Sequence, residues 1–232
     1  MPASFRAAFR LAAVAALVAA AAAAVLEPST PIASTKPAPK YRIAAGAAPK
    51  KAPPKDAPPV PVTTIASSNI KGVTVSVEYA DAARRAAFLK TVDPNLVDPF
   101  APAPGKPERA LVFVVGFEND TASEVQFQPG NVMLITDHGD HDHPLDLTDI
   151  YIGAERSGDQ DLEHVIDRTT RVLYDSATTI PAGAHAARLI AFKPLDNPNW
   201  RQFSLQFAFI QVAGETHSVS FAFHKQMVEP GS

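Results

Sequence analysis

Apolar and polar side chains alternate along much of the chain after residue 62. Segments 73–79, 203–209 and 218–224 place an apolar residue at every second position, which is the pattern of a strand with one buried face. Ala213-Gly214-Glu215 separate the last two segments and predict a β-hairpin. Segment 111–117 (LVFVVGF) is apolar at consecutive positions, so it predicts a central strand covered on both faces.

Shorter apolar runs and a few helix signals complete the predicted domain. Further strands are predicted at 132–135, 145–152, 172–174 and 188–192. Helix is predicted from Ala82 to Thr91, capped by Asp81 and ended by Asp93-Pro94, with another turn or two within 159–169. The pattern therefore predicts an all-β antiparallel sandwich of about 7–9 strands with one or two short helices.

The aromatic residues of the last two strands favour the core, because their period matches that of burial. Phe203, Phe207, Phe209, Phe221 and Phe223 are expected to point inward. The alternative is an exposed platform on which sugars stack.

The segment at 93–108 has five prolines in sixteen residues and is too long for an ordinary connection. It is interpreted as an insertion packed on the surface, with a binding element as the alternative. Trp200, the only tryptophan, is interpreted as a core residue rather than an exposed anchor.

The first 26 residues differ from the rest. Arg6 and Arg10 precede sixteen apolar residues, mostly alanine, from Leu11 to Leu26. Such a helix rises about 24 Å, less than the about 30 Å of a bilayer's hydrocarbon core. Residues 1–26 therefore predict a secretory signal peptide, with an uncleaved N-terminal anchor as the alternative. The expected location is outside the cytoplasm, in the periplasm or at the cell surface.

Residues 27–61 have ten prolines in 35 positions and no strand or helix period. They predict a disordered, basic linker rich in proline, alanine and lysine. It is a solvated spacer or a contact to an anionic envelope surface. Residues 62–232 are left as the folded domain, with 22 acidic and 13 basic side chains.

Composition excludes several classes of function. There is no cysteine, so a disulfide scaffold, a cysteine-ligated metal site and a thiol nucleophile are excluded. A net charge of −3 argues against nucleic acid as a partner. The chain has no G-x-S-x-G and no H-E-x-x-H motif. No enzymatic activity is expected, and a hydrolase with an unrecognised site is the remaining enzymatic alternative.

Several loose motifs resemble one family. Phe117-Glu118-Asn119-Asp120-Thr121 ends a strand, Ile180-Pro181-Ala182-Gly183 and Leu189 to Phe192 with Pro194 come later, and a hairpin of alternating aromatics closes the domain. This order resembles the exported immunoglobulin-like domains of unknown function in bacterial envelope proteins. The resemblance implies an immunoglobulin-like β-sandwich with a non-catalytic binding or structural role. The expected partner is an envelope protein or a cell-wall component, engaged through an edge strand or the proline-rich insertion.

One loop is dense in metal-ligating residue types, between two predicted strands that it would join as a hairpin tip. It contains His138, Asp140, His141, Asp142 and His143, with Asp137, Asp146 and Asp149 nearby. In an extended chain His141 and His143 share a face, a spacing suited to zinc or copper. The loop therefore predicts a transition-metal site as the alternative function. An ordinary solvated turn and a calcium site are the other interpretations.

Overall fold

Two antiparallel sheets face each other across an aromatic core. The computed structural model describes residues 41–49, 63–102, 108–156, 162–197 and 199–227, which form eleven strands and three short α-helices. The prediction of a mostly β, two-sheet sandwich is confirmed. The predicted signal peptide, 1–26, lies outside the described residues, as does most of the predicted linker.

Sheet A is the larger sheet, and its strands are β1 (Tyr41–Ala45), β5 (Val125–Phe127), β6 (Val132–Thr136), β7 (His141–Asp142), β8 (Thr178–Ile180), β10 (Gln202–Val212) and β11 (Glu215–Met227). Its order is β1-β11-β10-β5-β8, and β6 also pairs with β10 and carries β7. The predicted hairpin of β10 and β11 is confirmed. Its turn is Ala213-Gly214, with φ of 51° and 81°, as a two-residue turn that follows the strand twist requires.

Sheet B consists of β2 (Ile65–Ile70), β3 (Val73–Tyr79), β4 (Leu111–Asn119) and β9 (His185–Phe192), in that order. Successive side chains of β4 point to opposite faces of the sheet. Phe113 and Phe117 enter the core between the sheets, whereas Val112 and Val114 join a second apolar cluster on the outer face. The prediction that this strand is covered on both sides is therefore confirmed.

Aromatic rings fill the space between the sheets. The Phe113 ring lies 5.3 to 6.1 Å, between centroids, from those of Phe223, Phe203 and Phe192. Such pairs add about 0.5–1.5 kcal/mol each beyond the area they bury. Trp200 is buried against Phe203, as predicted.

Three helices cover the outer face of sheet B: α1 (Ala82–Val92), α2 (Leu147–Arg156) and α3 (Leu162–Val172). The α1 helix agrees with its prediction, and the Asp81 carboxylate caps it by accepting a 2.8 Å hydrogen bond from the Arg84 amide. A single 3₁₀ turn, Pro129–Asn131, precedes β6. Among the described residues, no helix has both the length and the apolar character to cross a bilayer.

The predicted strand at 145–152 is wrong, because these residues begin α2. The Asp149 amide donates to the Asp146 carboxylate at 2.8 Å, and the Asp146 amide donates back to Asp149 at 3.4 Å. This reciprocal cap starts the helix, and Ile150 and Ala154, four residues apart, turn one apolar face inward. The predicted strand at 172–174 is also wrong, since α3 extends to Val172 and only Leu173 forms an isolated bridge, to Leu189.

The boundary between linker and domain lies earlier than residue 62. Tyr41–Ala45, within the segment predicted as disordered linker, form β1 and pair antiparallel with β11. Ile43 is buried in the core, and this burial offsets the entropy of ordering the strand.

The proline-rich segment is fastened to the body by a buried arginine. Arg85 of α1 is 1% exposed and donates to the Asp98 carboxylate at 2.8 Å and to the Glu108 carboxylate at 2.9 Å. Burial disfavours its charge, but the hydrogen bond and charge of Asp98, with Glu108, outweigh this and raise the pKa of Arg85. Phe100 is buried in the helical cluster. These contacts agree with the interpretation as a packed insertion.

Two motifs of the family resemblance meet at one end of β4. The buried Asn119 side chain donates to the carbonyl groups of Ser123 and Pro181, both at 2.8 Å, and its oxygen accepts from the Thr121 hydroxyl at 2.7 Å. Asn119 therefore ties the two loops together, which is a structural role.

Candidate functional site

The histidine- and aspartate-rich loop is a tight turn at the end of β6. Gly139 has a φ of 85°, and the Thr136 amide donates to the Asp140 carbonyl at 2.8 Å. Only two residues, His141 and Asp142, pair back onto Ile135 and Leu134. The predicted hairpin tip is present, but its second strand is short because the chain continues into α2.

The predicted metal ligands of this loop make other contacts. His138 Nε2 lies 3.3 Å from the Asn199 carbonyl oxygen, and the Asp140 carboxylate accepts from the Thr136 hydroxyl at 3.3 Å. The Asp142 carboxylate accepts from the His143 backbone amide at 3.0 Å. His141 and His143 are both exposed.

Across the described ranges, no three His, Asp or Glu side chains are placed to hold one metal ion. Asp146 and Asp149 cap α2, as described above. The distant histidines have separate surroundings: His224 Nδ1 lies 3.0 Å from the Gly46 carbonyl oxygen, and His217 Nε2 lies 3.8 Å from Glu215. Within the described ranges the predicted zinc or copper site therefore has no third ligand in place, and His138, Asp140, His141, Asp142 and His143 form a largely exposed turn whose metal binding stays a prediction.

A cavity of about 290 Å³ with a mixed polar and apolar lining lies beside this turn, lined by Leu134, Thr136, residues 140–142 and residues 193–197. A second cavity, of about 280 Å³, lies between the proline-rich segment and α2. Its walls include Phe100, Ile150 and Ala154, which also pack the helical layer. We interpret this second cavity as a packing gap between the proline-rich segment and α2.

The strongest departure from the sequence pattern occurs in the middle of β10. Phe207 pairs with Val219 and Ile210 with His217, so two residues of β10, Ala208 and Phe209, face the single Ser218 of β11. This β-bulge shifts the alternation by one position. Ile210 enters the core, and Phe209 leaves it.

Phe209 has an unusual backbone and an unusual exposure for its residue type. Its φ is 60°, in the left-handed region, which costs a non-glycine residue about 1–2 kcal/mol. Its side chain is 58% exposed, more than any other large hydrophobic side chain that the structure describes. The prediction that Phe209 points into the core is therefore wrong, whereas Phe203, Phe207, Phe221 and Phe223 are buried as predicted.

The Phe209 ring borders a shallow cavity of about 220 Å³ whose other walls are largely amides. We call this region the aromatic–amide patch, formed by Gln126, Gln128, Asn131, Phe209 and Gln211. Gln126 and Gln211 are direct cross-strand neighbours on β5 and β10. Phe127 and Ala177 complete the lining, so it contains no charged side chain.

The Gln126 amide is held in place from outside the cavity. Its Nε2 donates to the Glu124 carboxylate at 3.1 Å. Side-chain amides both donate and accept, so the patch presents paired donors and acceptors around one flat apolar ring. It can hold an uncharged polar ligand, and it contains no side chain suited to nucleophilic or acid–base chemistry.

Sequence reasoning missed this patch because it extended the period of 203–207 through position 209. Ile210 and Val212 are apolar and Gln211 is polar, so the alternation changes phase after Phe207. That change of phase is a local indication of a bulge. Nothing local in the sequence indicates that Gln126 and Asn131 lie close to Phe209, because strand pairing brings them to β10.

The described residues define a β-sandwich with a helical layer on one sheet and an aromatic–amide patch on the other. No protein-family model and no curated protein sequence matches the chain. A solved structure similar to it is that of the yjhA protein from Bacillus subtilis, at 10% identity and a TM-score of 0.33, over 61% of this chain and 76% of that one. A similarity this distant carries no functional argument.

Proposed function

We propose that the protein is a non-catalytic, exported binding module of the bacterial cell envelope, with an immunoglobulin-like β-sandwich. It is directed out of the cytoplasm by residues 1–26 and binds an envelope component through the aromatic–amide patch. The exposed, strained Phe209 is the observation that supports this proposal most directly.

The energetics of Phe209 favour a binding role over a folding role. Its left-handed backbone costs about 1–2 kcal/mol, which glycine would avoid. Its ring gains little from burial, since 58% of the side chain remains in water. A costly residue that contributes little to the core is typical of a surface used for binding. Ligand contact would supply the burial that the fold does not.

A sedimentation assay with bacterial cell envelopes tests the binding. The purified protein should co-sediment with the envelopes, and Phe209→Ala should weaken binding about tenfold. Tyr151→Ala is the matched control, because Tyr151 of α2 is also an exposed aromatic, at 42%. Equal loss in both variants would indicate nonspecific adhesion, and no co-sedimentation of the unmodified protein would contradict the proposal.

Export is tested separately by cell fractionation. The full chain should appear outside the cytoplasm, and deletion of residues 1–26 should retain it inside. A full chain found only in the cytoplasm would contradict both the proposed location and the proposed envelope ligand of the patch.

A further inference from the structure

We infer that the ligand of the aromatic–amide patch is a glycan, namely an uncharged stretch of an envelope polysaccharide. The inference rests on the proposed function, since it names the ligand class of the same surface. Three features of the patch support it: the exposed ring, the amides around it and the lack of charge in its lining.

The Phe209 ring suits one face of a sugar. A pyranose has a flat face of C–H groups, and these pack against the electron-rich face of an aromatic ring. Phe209 is 58% exposed, and the bulge directs it out of the sheet beside the cavity. A phenyl ring offers this surface with few side-chain torsions to restrict on binding.

The surrounding amides suit the hydroxyl groups of the same sugar. Each sugar hydroxyl donates and accepts, and Gln126, Gln128, Asn131 and Gln211 each carry a donor and an acceptor in one side chain. The hydrogen bond from Gln126 to Glu124 limits the rotation of one of these amides before any ligand arrives. This preorganisation lowers the entropic cost of binding.

The charge of the site selects among glycans. The lining carries no Lys or Arg to pair with a phosphate or a uronate, and the Glu124 carboxylate that accepts from Gln126 repels anions. An uncharged sugar therefore fits better than an anionic one. A protein–protein interface has a fully buried apolar core inside its polar rim, whereas Phe209 is the only exposed large hydrophobic residue among those lining this cavity.

The experiment compares treated bacterial cell envelopes in the sedimentation assay. One sample is digested with protease, and another is oxidised with periodate, which cleaves the vicinal diols of sugars. Maltotetraose and cellotetraose, two uncharged oligosaccharides whose sugars keep vicinal diols, serve as soluble competitors. Binding should survive protease, fall with periodate and be reduced by at least one competitor.

Variants of Phe209 separate stacking from simple hydrophobicity. Phe209→Tyr keeps the ring and should bind within about threefold of the unmodified protein. Phe209→Leu keeps an apolar side chain without a ring and should bind about tenfold more weakly. Gln211→Ala should also weaken binding, whereas Tyr151→Ala should not. Urea unfolding of each variant checks that the fold is retained.

Each alternative outcome has a distinct meaning. Binding that is lost after protease but resists periodate would identify a protein partner, which overturns the glycan and leaves the proposed function standing. Glycan binding that is unchanged in Phe209→Ala would overturn the patch as its site. Failure to bind any envelope sample would overturn the proposed function itself.

Discussion

The backbone strain at Phe209 predicts an unusual order of stability between alanine and glycine. In an ordinary strand, glycine is less stable than alanine by about 0.5–1 kcal/mol, because it loses more backbone entropy on folding. At a φ of 60°, alanine also bears a steric cost of about 1–2 kcal/mol that glycine lacks. Phe209→Gly should therefore be more stable than Phe209→Ala by about 0.5–1 kcal/mol.

Gln206 provides the matched control in the same strand. It is exposed and pairs regularly with Ser220, on the other side of the bulge from Ile210. Here Gln206→Gly should be less stable than Gln206→Ala by about 0.5–1 kcal/mol. Subtracting the glycine-minus-alanine stability difference at position 206 from that at position 209 isolates the backbone strain, because the entropic cost of glycine cancels. The result should be about 1–2 kcal/mol.

Urea unfolding followed by fluorescence reports these four stabilities. Trp200 is the only tryptophan and is buried in the core, so its emission should change on unfolding. The denaturant slope must be equal within each pair for the comparison to hold. If the glycine variant is less stable than the alanine variant at both positions, Phe209 has an ordinary strand backbone and β10 has no bulge there.

Three further predictions concern stability. Arg85→Ala should lower the free energy of unfolding by about 3 kcal/mol in urea, since it leaves Asp98 and Glu108 without their buried cation; a loss below about 1 kcal/mol would contradict this anchoring. Burial raises the pKa of Tyr79 from 10.0 to about 12. The stability that its buried neutral hydroxyl contributes is therefore complete below pH 10 and is lost as the pH rises towards 12. From pH 10 to 12 the free energy of unfolding should therefore fall by about 2–3 kcal/mol less in Tyr79→Phe than in the unmodified protein. Parallel pH profiles of the two proteins would refute the raised pKa. The Tyr174 hydroxyl is buried without a hydrogen-bond partner among the described residues, so Tyr174→Phe should raise thermal stability by about 1 kcal/mol, and a lower melting temperature would indicate a missing partner.

Local signals in the sequence were sufficient for the long strands and for α1. The alternation of β3, the two-faced apolar run of β4 and the turn at Ala213-Gly214 each specify their structure through residues close in the chain. The same is true of the Asp81 cap. In these elements burial, turn geometry and backbone propensity all favour one conformation.

The segment at 145–152 shows where local signals become ambiguous. Its apolar residues fit a short strand as well as one face of a helix, and the Asp146–Asp149 cap decides for α2. The metal hypothesis for the same region depended on side chains meeting in space. Asp146 and Asp149 act at the helix start, and His138 turns towards Asn199.

The amino-acid order alone thus determined where the long strands lie, that the last two form a hairpin and which faces are apolar as far as the bulge, because these properties follow from side-chain period and turn chemistry. Only the tertiary structure decided that Tyr41–Ala45 join sheet A and that Phe209 faces water beside Gln126 and Asn131. The first depends on pairing with β11, which is distant in the chain, and the surroundings of Phe209 depend on the pairing of β5 with β10. A one-residue bulge reverses the face of every residue beyond it, and the energy that selects it comes from burying Ile210 and Val212 rather than from any local preference of Phe209.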